Sequence, residues 1–131
     1  MTFKELYQLQ TLKSEIDELE CRLNRLRAAS TALSGGLDGL PKTKEVSDRV
    51  GTIVAEIATL EALMKSELTQ YWRTYVELEM YIKNIPDSFT RRIFRMRFID
   101  GKTWNAIAYK CGGRHTSDCI RKICKRFLEN N

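Results

Sequence analysis

The sequence predicts an all-α protein in which a long antiparallel helical hairpin is followed by a three-helix, helix-turn-helix domain. Apolar residues recur at alternating spacings of three and four in two long stretches, which is the pattern of paired helices. The two prolines and seven glycines cluster, so these stretches contain few helix breakers. A shorter apolar pattern rich in Arg and Lys then occupies the C-terminal part of the chain.

The first predicted helix covers about residues 3–33. Its apolar positions form a heptad seam of Leu9, Leu12, Ile16, Leu19, Leu23 and Leu26. Charged residues such as Lys13, Glu18 and Arg22 fill the positions between them, as expected for solvated helix faces. These leucines are therefore interpreted as packing residues.

A turn and a second long helix follow. The stretch "SGGLDGLPKTKEVSDRVG" carries three glycines and a proline before the next seam is established, which predicts a chain reversal. From Val46 the 4-3-4-3-4 spacing returns, and after one additional four-residue step it continues to Ile85. Such a stutter unwinds a supercoil locally without breaking the helix. Pro86 predicts the end of this helix near Asn84.

The charge divides the chain at about the same place. Residues 1–82 hold 10 basic and 13 acidic side chains, whereas residues 83–131 hold 12 basic and 4 acidic ones. We therefore predict two domains: a hairpin over 1–84 for oligomerisation or partner docking, and a DNA-binding domain over 85–131. A basic module of this kind is typical of a protein with a polyanion as partner.

Three short helices are predicted in the basic module, at about 87–98, 104–111 and 116–128. Gly101 ends the first, Thr103 is placed to cap the second, and "GGR" makes the turn before the third. A short helix, a glycine-containing turn and a longer basic helix form the helix-turn-helix pattern. A three-helix bundle without a ligand is the alternative.

The distribution of apolar and charged residues around the third helix favours the helix-turn-helix over the bundle without a ligand. At about 100° per residue, Ile120, Ile123, Cys124 and Phe127 form one buried arc. The opposite face carries Asp118, Arg121, Lys122, Lys125 and Arg126. A cationic helix face of this width suits the major groove of duplex DNA. Asp118 either accepts a hydrogen bond from a cytosine amino group or only stabilises the helix dipole.

The order of these features resembles region 4 of bacterial sigma-70-type factors. The matching segments are "IPDSFTRRIFRMRFIDGKTWNAIA" and "TSDCIRKICKRFL", which together cover about residues 85–129. The whole chain looks like the small sigma-region-4-like regulators of phages and prophages, including the ArpU-type late-gene transcription regulators. The resemblance implies sequence-specific binding of double-stranded DNA and contact with host RNA polymerase.

Carried over by position, the resemblance places the DNA contacts on Ser117, Asp118, Arg121, Lys122 and Lys125. Arg114, in the preceding turn, and Arg126, on the same helix face, complete the set of predicted DNA-binding residues. Two departures from region 4 are that the turn between Ala108 and Ile120 is longer, and that His115 stands where an aliphatic residue is usual. Since no region 2 is present, the resemblance does not extend to promoter melting.

A zinc site is the competing interpretation of the stretch "YKCGGRHTSDCIRKICKRF". Its spacing, Cys-x3-His-x3-Cys-x4-Cys, supplies four donor groups. On a helix, however, Cys119 and Cys124 point about 140° apart, so both cannot bind one ion. Reduced cysteine is also a common small core residue. We therefore predict no metal, no cofactor and no catalytic residues, and we do not expect an enzyme.

The remaining expectations concern location and assembly. The N-terminus "MTFKELYQLQ" lacks the apolar run of a secretory signal, and no stretch of about 18 apolar residues occurs. We expect a cytoplasmic protein of the bacterial host, without membrane contact, that forms a homodimer or other homo-oligomer through its N-terminal helices. Two rival functions stay open: a phage small-terminase-like protein that recognises packaging DNA, and a helical module whose basic face binds an acidic protein.

Overall fold

The computed structural model describes residues 1–35 and 44–131, and every regular element in these ranges is helical, which confirms the all-α prediction. The elements are α1 (Phe3–Gly35), α2 (Lys44–Lys83), α3 (Ser88–Phe94), a π-helical turn (Arg95–Ile99), α4 (Trp104–Cys111) and α5 (Ser117–Asn130). The predicted Gly/Pro chain reversal falls mainly on residues 36–43, which lie outside the described residues. No helix of the described ranges is long and apolar enough to cross a bilayer.

The chain forms two compact units. One consists of residues 13–70, and the other combines residues 1–12 with residues 71–131. The two long helices therefore each contribute to both units. The functional boundary predicted between residues 84 and 85 stays a prediction.

The unit of residues 13–70 carries the middle of the two apolar seams. In α1, Ile16, Leu19 and Leu23 are buried. In α2 the half-buried positions follow the predicted spacing and are Val50, Ile53, Ile57, Leu60, Met64 and Leu68, among others. An exposed ion pair joins Arg27 Nη2 to Glu61 Oε1 at 2.9 Å. The heptad spacing thus marks the less exposed face of each helix in this unit.

The second unit contains the main core of the protein. Its fully buried large side chains come from every helical segment of the unit: Leu6, Leu9, Ile82, Ile85, Ile93, Phe94, Phe98, Ile107, Ile120 and Cys124. Residues at the start of α1 and the end of α2 therefore pack in one cluster with the basic module. This core holds α4 and α5 in place.

Local capping sets where the helices of this unit begin. Thr2 and Glu5 form a reciprocal capping box at the start of α1, with Thr2 N donating to Glu5 Oε2 at 2.7 Å and Glu5 N donating to Thr2 Oγ1 at 3.3 Å. Asp87 caps α3 by accepting from Thr90 N at 3.0 Å and from Thr90 Oγ1 at 2.6 Å. The hydrogen bonds from Thr90 hold the pKa of the Asp87 carboxyl below its ordinary value.

The first helix of the basic module differs from the single helix predicted over 87–98. It changes at Arg95 into a π-helical turn, in which Asp100 N donates to the carbonyl of Arg95 at 3.0 Å. The chain then leaves the helix at Gly101, whose φ of 73° is in the left-handed region that favours glycine. The carbonyl of Arg97 is left to accept a hydrogen bond from Gln10 Nε2 at 2.8 Å.

Candidate nucleic-acid interface

Helix α5 begins at a well-formed cap. Thr116 is the N-cap residue, and its Oγ1 accepts from Cys119 N at 3.2 Å. Ile120 and Cys124 are buried, while Ile123 and Phe127 are half-buried against the same core. The Phe127 ring meets the Phe94 ring edge-on at a centroid distance of 5.4 Å. The apolar stripe derived from the sequence is therefore the face by which α5 packs.

The opposite face of α5 is exposed and cationic. Arg121, Lys122, Lys125 and Arg126 are all exposed, as is Arg114 in the preceding turn. These five side chains lie within thirteen residues of one another along the chain. Such a set attracts anions, and the attraction is strongest at low ionic strength.

Asp118 forms an ion pair with Arg121, so one of the predicted contact residues is already paired with another. Arg121 Nη2 lies 3.3 Å from Asp118 Oδ1, and both side chains are largely exposed. An exposed pair of this kind stabilises the helix by no more than about 0.5 kcal/mol. Its useful effect is to restrict the orientation of the Arg121 guanidinium, and an approaching phosphate can compete for that group.

Ser117 is half-buried and lies in a groove where the starts of α4 and α5 meet. Thr103 caps α4 by accepting from Ala106 N at 3.1 Å, and Asn105 follows in the first turn. Arg97, Trp104 and Asp118 also line this groove. Of the seven predicted site residues, the groove brings together Ser117, Asp118 and Arg121.

Arg97 holds the site together, although the sequence analysis did not select it. Its guanidinium carbon lies 4.5 Å from the centre of the Trp104 ring and 5.2 Å from that of Tyr7. Nε and Nη2 both donate to Tyr7 Oη at 3.1 Å, and Nη1 donates to the carbonyl of Lys102 at 2.9 Å. This arginine therefore connects α1 to the start of α4.

A second groove runs beside the cationic face. Aromatic rings from α1 and α4 line one part of it, and Arg121, Lys122 and Lys125 line another. The aromatic members are Phe3, Tyr7 and Trp104. The beginning of α1 thus lies next to the exposed face of α5, and the heptad pattern of α1 carries no signal of this placement.

A further cationic group surrounds the start and end of α4. Lys102 lowers the pKa of Lys110 through a hydrogen bond that only the neutral amine of Lys110 can accept and through its positive charge; Arg92 adds a smaller lowering, and the Asp100 carboxylate opposes these effects. Lys102 and Arg92 thus each act electrostatically on Lys110, and Asp100 adds one carboxylate to the same group. The arginine-rich composition of the module was the only sequence signal for this group.

The turn before α5 contains the residues in which the chain departs from region 4. Gly112 adopts a φ of 97°, and His115 N donates to the carbonyl of Gly112 at 3.2 Å. The half-buried His115 ring packs against Phe89 at a centroid distance of 5.0 Å. His115 therefore takes a packing position, while Arg114 stays exposed beside it.

The cysteines near α5 differ in burial. Cys124 is buried, whereas Cys111 and Cys119 are half-buried, and all are free thiols. Within residues 1–35 and 44–131, no three His, Cys, Asp or Glu side chains come close enough to hold a metal ion. Burial raises the pKa of the Cys124 thiol to about 12, against the opposite effect of the Arg97 charge.

Comparison with known proteins adds no identification. No family model, no curated protein and no solved structure matches the chain. The geometry of α4 and α5 is therefore the main basis for assigning a function, together with the residues that resemble region 4.

Proposed function

We propose that the protein binds double-stranded DNA in phage or prophage transcription regulation, with α5 in the major groove. The observation that carries this proposal is the two-faced character of α5. One face is packed in the core through Ile120 and Cys124, and the other exposes Arg121, Lys122, Lys125 and Arg126. A rigid helix that presents cations in this way can neutralise phosphates and reach base edges.

The contact between α4 and α5 supports a helix-turn-helix. Helix α4 has the Thr-x-x-x-Ile-Ala pattern, with the cap at Thr103 and the buried pair Ile107 and Ala108. Its first turn meets the first turn of α5 at a common groove. In this proposal Ser117, Arg121 and Lys122 face the DNA, and Thr103 and Asn105 add phosphate contacts from the neighbouring helix.

The long helices form the second part of the proposal, an antiparallel hairpin that serves oligomerisation or partner docking. Two contacts support the antiparallel order. Arg27 of α1 pairs with Glu61 of α2, and Leu6 and Leu9 cluster with Leu78 and Ile82. By the region 4 resemblance, host RNA polymerase is the proposed protein partner, and the cytoplasm of the bacterial host is the proposed location.

Salt-dependent titration tests the DNA-binding proposal. The fluorescence anisotropy of a labelled duplex is measured against protein concentration at 50 and 200 mM salt. If several phosphates are contacted, the affinity falls by about 10³-fold or more between these conditions. Absence of binding at the lower salt concentration contradicts both DNA-binding functions and favours the module that binds an acidic protein.

A charge reversal tests the assignment to α5. We expect Arg121→Glu to weaken duplex binding by more than about tenfold, because a phosphate or base contact is replaced by repulsion. Arg25→Glu reverses an exposed charge on α1 and is the matched control, expected to bind as the unaltered chain does. Circular dichroism checks that both variants fold. Equal binding by the two variants contradicts the assignment, and ring-shaped oligomers favour the DNA-packaging alternative.

A further inference from the structure

Helix α2 leaves three large apolar side chains exposed near its C-terminal end. Trp72, Val76 and Met80 each expose 57% of their surface. Leu78 and Ile82 of the same helical segment are buried in the core. The segment is therefore apolar on two faces, and among residues 1–35 and 44–131 one of these faces is buried while the other is exposed.

The three exposed side chains form one continuous strip. They follow at intervals of four residues, so on a helix they lie within about 80° of one another and extend over about 12 Å. Val76 is at the centre of this strip and points away from Leu78, by about 160° around the helix axis. We call Trp72, Val76 and Met80 the α2 strip.

Trp72 is held in position by its aromatic neighbours. Its ring meets Tyr71 at a centroid distance of 5.2 Å and Tyr75 at 5.5 Å, both edge-on. Because these contacts limit the side-chain entropy that is lost on association, Trp72 is suited to act as an anchor in an interface. Exposed aromatic strips rimmed by charge are typical of protein interaction sites.

The charges beside the strip favour one arrangement of two copies. In a parallel two-fold copy, the flank formed by Arg73 and Glu77 meets the opposite flank, which brings the acidic side chains of Glu77 and Glu79 together. In an antiparallel copy centred on Val76, Arg73 instead lies within about 3 Å in height of Glu77 of the second copy. Glu79, on the other flank, already binds Arg95 at 3.1 Å and is neutralised within the chain.

The apolar residues match in the same antiparallel arrangement. A residue that precedes Val76 in one copy is level, along the helix axis, with the residue that follows Val76 by the same number in the second copy. Trp72 therefore faces Met80 of the second copy, and Val76 faces its own counterpart. A ring against a flexible thioether is a favourable contact. The apolar side chains of the α2 strip therefore match those of a second copy, and the flanking residues Arg73 and Glu77 are complementary in charge.

We propose that two copies of this chain associate through the α2 strip, with their α2 helices antiparallel about a two-fold axis at Val76. This inference builds on the self-association in the proposed function and names its surface and geometry. A two-fold dimer carries two copies of α5 related by the same axis. That symmetry suits a DNA site made of two inverted half-sites.

Sedimentation equilibrium of the full chain over a range of concentrations tests the proposal. We expect a monomer–dimer equilibrium for the unaltered chain. In Val76→Glu the dissociation constant of the dimer should rise at least about tenfold, because a carboxylate is then buried in an apolar contact. Tyr109→Glu is the matched control, since Tyr109 is 91% exposed on α4 and lies outside the strip. An unaltered chain that stays monomeric overturns the proposal, as does an equal effect of the two substitutions.

A charge exchange tests the antiparallel arrangement. Arg73→Glu and Glu77→Arg are each expected to weaken the dimer, and the double variant is expected to restore it, because the pair is then re-formed with its signs reversed. If the double variant is weaker than both single variants, the proposed register is wrong. A monomeric chain that binds vesicles of anionic phospholipid through Trp72 also contradicts the proposal.

The two proposals fail in different measurements. If the dimer inference is wrong, salt-dependent binding to a duplex persists, although the sedimentation of the unaltered chain shows no dimer. If DNA binding is wrong, the dimer forms and still responds to Val76→Glu. Circular dichroism of Val76→Glu separates loss of association from loss of folding.

Discussion

At the scale of single residues, Arg97 and Cys124 show how burial decides the role of a side chain. The sequence places Arg97 among four arginines of one helix, but only the packed structure stacks its guanidinium between Tyr7 and Trp104. A lysine cannot replace this planar group, because it lacks both the flat surface and the fork of donors. Cys124 belongs by spacing to a zinc-like set, yet its side chain is fully buried beside Ile120.

The Cys124 thiol makes stability dependent on pH above neutrality. Its ordinary pKa is near 9.0, and burial raises the pKa in the folded protein to about 12. The folded state therefore keeps a proton that the unfolded state releases. The contribution to stability is complete below pH 9, and it is lost as the pH rises from 9 through 12.

We expect the free energy of unfolding to fall more steeply above pH 9 in the unaltered chain than in Cys124→Ala, by up to about 1.4 kcal/mol per pH unit. Urea unfolding at several pH values measures the two slopes. Cys21→Ala, which changes an exposed thiol, is the control and is expected to follow the unaltered chain. Parallel slopes for Cys124→Ala and the unaltered chain contradict the argument.

At the scale of elements, hydrogen-bonding side chains determine where the helices of the basic module begin. Asp87, Thr103 and Thr116 each accept from a backbone N–H three residues later. These caps could be anticipated from the sequence because Asp and Thr before an apolar run are a known start signal. The π-helical turn could not, since no local residue type specifies it.

Removal of the α5 cap is expected to reduce both stability and DNA affinity. Thr116→Ala leaves a backbone donor of the first turn without its side-chain acceptor, at a cost of about 1 kcal/mol. Thr52→Ala makes the same chemical change inside α2, where the hydroxyl only bonds to the carbonyl of Asp48, and is expected to cost less than about 0.5 kcal/mol. Thermal unfolding and duplex titration of both variants measure the difference. Equal losses show that the cap has no special role.

At the scale of the whole molecule, the basic module shares its core with the ends of the long helices. Leu6 and Leu9 of α1 and Leu78 and Ile82 of α2 are buried in the same cluster as Ile93 and Phe98. Gln10 adds a polar contact, since its Nε2 donates to the carbonyl of Arg97 at 2.8 Å. The folded unit therefore includes residues far from the module in sequence.

An isolated peptide of residues 85–131 is accordingly expected not to fold. It lacks four core side chains from the long helices, and a chain of this length has little apolar surface to bury without them. Circular dichroism during heating should show low helicity and no cooperative transition for the peptide, whereas the full chain should show high helicity and a cooperative transition. Cooperative unfolding of the peptide means that the shared core is dispensable for folding of the module.

Much of the helical organisation was predictable from local patterns. The spacing of apolar residues indicated the long helices α1 and α2, and the alternation of Ile120, Ile123, Cys124 and Phe127 with cations indicated the buried face of α5. The turn glycines Gly101 and Gly112 lie in the left-handed region, as their positions after helices suggest. These features depend on residues close together in sequence, so periodicity and capping rules find them.

The sequence by itself determined the helical class, the approximate helix bounds and the concentration of positive charge in the C-terminal module. Only the tertiary structure decided that Tyr7 stacks on Arg97, that Gln10 reaches its carbonyl, and that Trp72, Val76 and Met80 remain exposed. The physical reason is that a heptad pattern specifies an apolar face without specifying which partner covers it. That choice depends on shape and hydrogen bonding between segments distant along the chain.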